Sequence, residues 1–288
     1  MDTIIRWLND NNLKQQKYQL DGIKWCLQRE LDGSNINGKI IRGGLLADEM
    51  GLGKTITMLS MLVANSLQRT LIVLPKALIS QWSIIIKQLF NMDPYIYHGQ
   101  NILNISDSKF EFILNSYSII ITTYGMISDT QKTNLLHTVP WNRVIYDEAH
   151  HLRNNKTKIF NGAYKLSLKT DIVWLVTGTP IQNKKTDFYS LCDIIKIPSD
   201  FYSKTENLPI LAKNFIIKRT KTQVGITMPE LNTNIVIVDW NDDIEREIAE
   251  EIHSLLDFTH VITKKNKRFT IGQATDFKLP LLIKARQS

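Results

Sequence analysis

Apolar residues in this chain come as short unbroken runs divided by longer stretches of helical spacing. Thr70-Leu-Ile-Val-Leu74 is stopped by Pro75, and Ser118-Ile-Ile-Ile-Thr122, Val144-Ile-Tyr146 and Ile172-Val-Trp-Leu-Val176 are of the same kind. Runs this short, without polar alternation, predict strands buried on both faces. Ala77 to Phe90 repeats apolar residues at the helical period, and further helices are predicted at 54–66, 157–168 and 187–195. Strand and helix alternating in this way predict an α/β fold, a mostly parallel sheet covered by helices on both faces. Beyond about residue 230 the pattern changes. Asn234-Ile-Val-Ile-Val-Asp239 suits one more strand, and Asp242 to Leu256 aligns Ile244, Ile248, Ile252 and Leu255 on one face of an acidic helix. We therefore expect a main domain over 1–233 and a connector over 234–288, whose end, Leu281-Leu-Ile-Lys-Ala-Arg-Gln-Ser288, is apolar and abrupt.

Composition narrows the picture only a little. With 288 residues, 43% hydrophobic and 22% charged, the chain can bury a core of ordinary size. A formal net charge of +7 suits a polyanionic partner without demanding one. Cys26 and Cys192 have no metal-ligand spacing and form no disulfide framework, which favours a reducing compartment. No apolar run is long enough to span a bilayer, and Met1-Asp-Thr-Ile-Ile-Arg6 lacks the order of a signal peptide. Abundant Ile, Asn and Lys suggest an AT-rich genome.

The chemistry concentrates in two segments. Gly43-Gly-Leu-Leu-Ala-Asp-Glu-Met-Gly-Leu-Gly-Lys-Thr55 ends in a loop of Gly51, Leu52 and Gly53 that opens a predicted helix. Such a loop lets backbone N–H groups close around phosphate oxygens, with Lys54 reaching the β/γ-phosphates of ATP and Thr55 the Mg²⁺. Asp48 stands where the strict pattern has its first glycine. Arg143-Val-Ile-Tyr-Asp-Glu-Ala-His150 is an apolar strand delivering two carboxylates at its carboxyl end, where open α/β sheets place their ligands. Asp147 can hold Mg²⁺ and Glu148 can orient and deprotonate the attacking water. Adjacent His150 and His151, with no Cys or third His nearby, do not read as a metal site. The basic run Lys264-Lys-Asn-Lys-Arg268 reads as a solvated loop.

Gly44-Leu-Leu-Ala-Asp-Glu-Met-Gly-Leu-Gly-Lys-Thr55 resembles motif I of the Snf2-family ATPases of helicase superfamily 2, and the resemblance continues in the family's order from about 18 to 230. Tyr18-Gln19 with Gly22 and Trp25 resembles the adenine-reading Gln motif. Thr70 to Pro75 with Gln81-Trp82 resembles motif Ia, and Ile121-Thr-Thr-Tyr124 motif Ib. Tyr97-His-Gly99 matches a family landmark, Asp147-Glu-Ala-His150 resembles motif II, and Leu175-Val-Thr-Gly-Thr-Pro-Ile-Gln-Asn183 motif III. Lys218-Arg-Thr-Lys221 with Met228-Pro229 resembles the segment that closes the first lobe. Lys184-Lys185 depart from the family, which usually has asparagine and an apolar residue there.

The resemblance implies a RecA-like P-loop NTPase lobe with Lys54, Asp147 and Glu148 catalytic. Gln19, Asp48, Gly51, Leu52, Gly53, Lys54 and Thr55 would bind ATP, and Thr55 and Asp147 the Mg²⁺. Lys76, Gln81, Thr122 and Thr123 would meet DNA phosphates, while Thr177, Gly178, Thr179 and Gln182 would couple the two sites. Double-stranded DNA is the implied partner, with nucleosomes or other DNA-bound proteins as targets, no membrane and a monomeric lobe. The implied place is the nucleus, or the cytoplasmic factory of a large DNA virus. The second-lobe arginines that complete such a site are not found in these residues; Lys284-Ala-Arg-Gln287 faintly resembles the opening of that lobe in the Rad5-like branch. A strand-separating helicase and a non-catalytic DNA-binding or scaffold module remain the alternatives.

Overall fold

The computed structural model describes residues 1–102, 105–130, 134–179 and 185–227, together with Asp243, Arg246 and Glu247. By contacts the chain divides into Met1–Met228 and Pro229–Ser288. The strand expected at 234–239, most of the helix at 242–256, the basic run 264–268 and the apolar end all lie outside the described residues.

In the first unit the strands are β1 Ser34–Ile36, β2 Lys39–Leu46, β3 Thr70–Leu74, β4 Tyr95–Ile96, β5 Ile119–Thr123, β6 Arg143–Asp147, β7 Ile172–Val176 and β8 Ile216–Ile217. The helices are α1 Asp2–Asp10, α2 Lys17–Leu31, α3 Lys54–Ala64, α4 Ile79–Phe90, α5 Asp107–Ser116, α6 Tyr124–Ser128, α7 Lys158–Leu168, α8 Lys185–Ile194, α9 Ser199–Tyr202 and α10 Leu208–Phe215. Sheet order is β1-β2-β7-β6-β3-β5-β4, with β8 also on β2. Every described pairing is parallel except β1 with β2.

The two layers follow from strand alternation. Leu71, Val73, Val144, Tyr146, Val173 and Leu175 face α5 to α10 in one core. Ile72, Leu74, Ile145, Trp174 and Val176 face α1 to α4 in the other. Both faces of β3, β6 and β7 are therefore dry, which is why their sequence is continuously apolar. The strands expected at 70–74 and 172–176 have those bounds, and the helix expected at 54–66 ends at Ala64.

The β2 strand escapes periodicity because glycines interrupt it. Gly43 has φ +97°, and a Cβ there would lie 1.9 Å from the Val173 carbonyl oxygen; one on Gly44 would lie 2.7 Å from that of Phe215. Only glycine lets β7 and α10 come so close. The β1–β2 hairpin turns on Asn37 and Gly38, both at positive φ, an Asn-Gly signal present in the sequence.

A charged network closes the amino-terminal edge of the sheet. Glu30 of α2 accepts from Arg143 Nε at 2.7 Å and Nη2 at 2.5 Å, from Trp174 Nε1 at 2.8 Å and from Asn65 Nδ2 at 2.8 Å. Arg143 Nη2 also donates to the Asn65 carbonyl at 2.8 Å. Both charged side chains are fully buried. We expect Arg143→Met to cost about 3–5 kcal/mol, since it leaves a buried carboxylate without its cation. Adding Glu30→Met should recover most of that loss. Urea unfolding of the two single variants and the double is the check; additive losses would mean that the ions are not coupled.

Candidate active site

The carboxyl ends of β2, β6 and β7 lie side by side, because Val176 is in register with both Leu46 and Asp147. The segment after each strand therefore enters one region. After β2 comes the loop 47–53, in which Gly51 and Gly53 take positive φ, +87° and +76°. Gly53 is the N-cap of α3, so the first N–H groups of that helix face the loop. Leu52 is buried and anchors the loop to the core.

Lys54 Nζ donates to the carbonyl oxygens of Asp48 at 2.9 Å and Glu49 at 3.4 Å. Burial lowers the pKa of its ammonium, while Glu148, Asp147, Asp48 and Glu49 pull it back up. Lys54 opens the helix after β2, and Asp147 and Glu148 end β6 and follow it, so the three stand at strand ends that flank β7. Gly178, after β7, belongs there too: a Cβ on it would lie 3.2 Å from Met50 Cγ and 3.6 Å from Lys54 Nζ. Thr177 is buried, its N–H bonded to Leu46 O and its hydroxyl accepting from Thr179 N at 3.2 Å. Gln182 lies outside the described residues.

Asp147 is held from several sides. Its Oδ2 accepts from Trp82 Nε1 at 2.8 Å, its Oδ1 from the Glu148 N–H at 3.0 Å, and its backbone carbonyl from Tyr124 OH at 2.7 Å. Burial raises its pKa, while the Trp82 and Glu148 N–H groups oppose that rise. Glu148 sits at φ +51°, a left-handed conformation unusual for this residue type and a kind of strain found at functional sites. Its Oε2 lies 3.1 Å from His150 Nδ1, and His150 stacks on His151 with ring centroids 4.6 Å apart.

Two expectations need correction. Asp48 does not offer its carboxylate to a nucleotide. That side chain is fully buried and taken up by Arg219, whose Nε and backbone N–H each donate to Oδ1 at 3.0 Å while Nη2 pairs with Oδ2. Thr122 is likewise buried, and its hydroxyl donates to the Tyr97 carbonyl at 2.9 Å, so it presents nothing to a phosphate. Thr123 is nearly as buried, with its hydroxyl 3.4 Å from His98 Nδ1. Lys76 and Gln81 are exposed. Gln19, on α2, donates to the Gly53 carbonyl at 3.4 Å and so braces the helix cap.

Arg219 is the functional residue that sequence reasoning passed over. It also donates to the Tyr18 carbonyl, and its guanidinium lies 5.5 Å from the centre of the Tyr18 ring. The neighbouring Lys221 N–H donates to Glu49 Oε2 at 2.7 Å, and its Cε lies 3.5 Å from where a Cβ on Gly51 would stand. The sequence offered only the basic string Lys218-Arg-Thr-Lys221, with nothing in it to name the partner.

Comparison with known proteins gives the family. The model of the SNF2-related domain matches residues 18–254. The chain belongs to that family. This SNF2-related domain is 28% identical to chromodomain-helicase-DNA-binding protein 6 of Mus musculus across 98% of its own length, but it spans only 11% of that relative. It is 28% identical to a probable global transactivator of Orgyia pseudotsugata multicapsid polyhedrosis virus, over 83% of this chain and 48% of the viral protein. Among solved structures, the Sulfolobus solfataricus SWI2/SNF2 ATPase core in complex with dsDNA has the same fold, with TM-score 0.60 and 24% identity over 95% of this chain and 58% of that one. The same core domain solved alone gives 0.59 and 25%.

For this SNF2-related domain we expect Arg219→Lys to loosen the loop 47–53. Lysine keeps the charge but loses the planar fork that grips Asp48 and Tyr18 together. Hydrogen exchange should speed up at the amides of 47–53 and stay unchanged in β3 and β5. Unaltered exchange at the loop would show that Arg219 does not hold it.

Proposed function

We propose that this chain is the nucleotide-binding first lobe of a duplex-DNA-dependent ATPase and translocase that remodels protein–DNA complexes. The observation that carries the reading is Lys54, on a glycine loop at a helix N-terminus, beside the strand end that delivers Asp147 and Glu148. Membership of the SNF2-related family and the DNA-bound Sulfolobus core support it.

The side chains fit Mg·ATP. The N–H groups at the start of α3 and the Lys54 ammonium suit phosphate oxygens. Among the described residues no three His, Cys, Asp or Glu side chains converge as a metal site of their own. That suits Mg²⁺, which takes one or two protein ligands and completes its shell with phosphates and water. Thr55 and Asp147 are the two ligands we assign. Bound there, Mg²⁺ would neutralise charge on the phosphates. Glu148 is the base that orients and deprotonates the attacking water, and its left-handed backbone sets its angle after the strand. Gln19 beside the loop is the assigned adenine reader, and Thr177 to Thr179 with Gln182 couple nucleotide to DNA. The arginines that complete the site would come from a second lobe, consistent with a chain that spans 11% of its chromodomain relative.

Duplex DNA would run along the edge that carries Lys76 and Gln81, with Thr123 behind it. Contacts of this kind reach phosphates rather than bases, so binding is indifferent to sequence. Nucleosomes are the proposed target. The nucleus, or a viral factory, is the proposed place, as suits chromodomain and viral relatives.

Two measurements test the reading. Calorimetry should detect weak binding of ADP with Mg²⁺ to the wild-type chain and none to Lys54→Ala; equal binding would remove the assigned site. Fluorescence anisotropy on two unrelated duplexes across a salt series should give equal affinities that fall steeply with salt. Lys76→Ala should flatten the salt slope by about one unit on both. A strong preference for one duplex would instead indicate base reading.

A further inference from the structure

We infer that Trp82 is a positioning residue for the Asp147 carboxylate, and that Tyr124 fixes the backbone of the same residue. The inference rests on Asp147 as the Mg²⁺-holding acid. Buried indoles need a hydrogen-bond partner, and other tryptophans here find one at the ends or edges of elements: Trp141 on the Leu136 carbonyl and Trp7 on that of Leu89. Trp174 and Trp82 donate to carboxylates, but that of Glu30 is already neutralised by Arg143, whereas Trp82 spends its only donor on Asp147 at the carboxyl edge of the sheet. Asp147 is 7% exposed, and its two oxygens are each anchored by one N–H, from opposite directions in the chain. One anchor on each oxygen fixes the plane of the carboxylate and leaves its other lone pairs for a cation. The Tyr124 hydroxyl on the Asp147 carbonyl then prevents the strand end from rotating.

Both supports stand directly beside residues of the proposed DNA edge. Trp82 follows the exposed Gln81 on α4, and Tyr124 follows Thr123 at the end of β5. Partners that orient a metal-holding side chain change metal affinity about 10- to 100-fold when removed. A residue serving only the core would change stability without touching the Mg²⁺ dependence.

The test is calorimetric titration of the 288-residue chain with ADP, once with excess Mg²⁺ and once in EDTA. In Trp82→Phe the gain in affinity from Mg²⁺ should shrink about tenfold or more, while affinity in EDTA matches wild type. Benzothienylalanine at position 82, an isostere of tryptophan without the N–H, should behave the same way and leaves no cavity. An undiminished Mg²⁺ gain in the isostere overturns the inference. So does an equal loss with and without Mg²⁺, which would make Trp82 part of the pocket wall only. Wild-type chain and Lys54→Ala binding ADP equally would instead sink the nucleotide-site reading beneath it.

Discussion

A sheet dry on both faces has only its edges on which to place polar chemistry, and the lobe is organised by that constraint. With helices covering Ile72 and Leu74 on one side and Leu71 and Val73 on the other, a charge in mid-strand would have no water and no partner. The charges are therefore divided between the ends of the strands. At the amino end, Glu30 and Arg143 neutralise each other and tie α2, β6 and β7 together. At the carboxyl end, Asp147 and Asp48 are fixed by Trp82 and Arg219, and Lys54 rests on backbone carbonyls. One edge uses its ions to hold the fold; the other gathers Lys54, Asp147 and Glu148 at neighbouring strand ends, where we propose the nucleotide binds.

Legibility in the sequence tracked this division. The strands buried on both faces were plain, because a run such as Thr70–Leu74 has no other use. The glycine loop was plain as well, since Gly51 and Gly53 were expected to open a helix at Lys54, and both take positive φ just before it. What stayed hidden depended on partners far along the chain. Asp48 read as a ligand of the nucleotide because nothing local reveals that Arg219, 171 positions later, takes its carboxylate. Thr122 read as a DNA contact because its neighbours resemble a motif, whereas its hydroxyl is spent on Tyr97. Trp82 read as part of one motif string and Tyr124 as the end of another, and only the tertiary structure brings both to Asp147. Periodicity reports which face a residue takes, and it is blind to which side chain waits there.

The way the chain leaves the lobe has a mechanical consequence. Strand β8 pairs with β2 over only two residues, Leu45 with Ile216 and Leu46 with Ile217, and then Arg219 and Lys221 grip Asp48 and Glu49. A pull on the chain beyond Lys221 would thus be borne first by the loop 47–53, before the wide ladders of β3 with β5 and β6 feel it. Tension there would be transmitted to Gly51 and Gly53, the most conformationally compliant residues of the loop. Opening of this loop should therefore respond to force, and single-molecule stretching applied through residues after Lys221 would read that response as a change in the dwell time of its closed form.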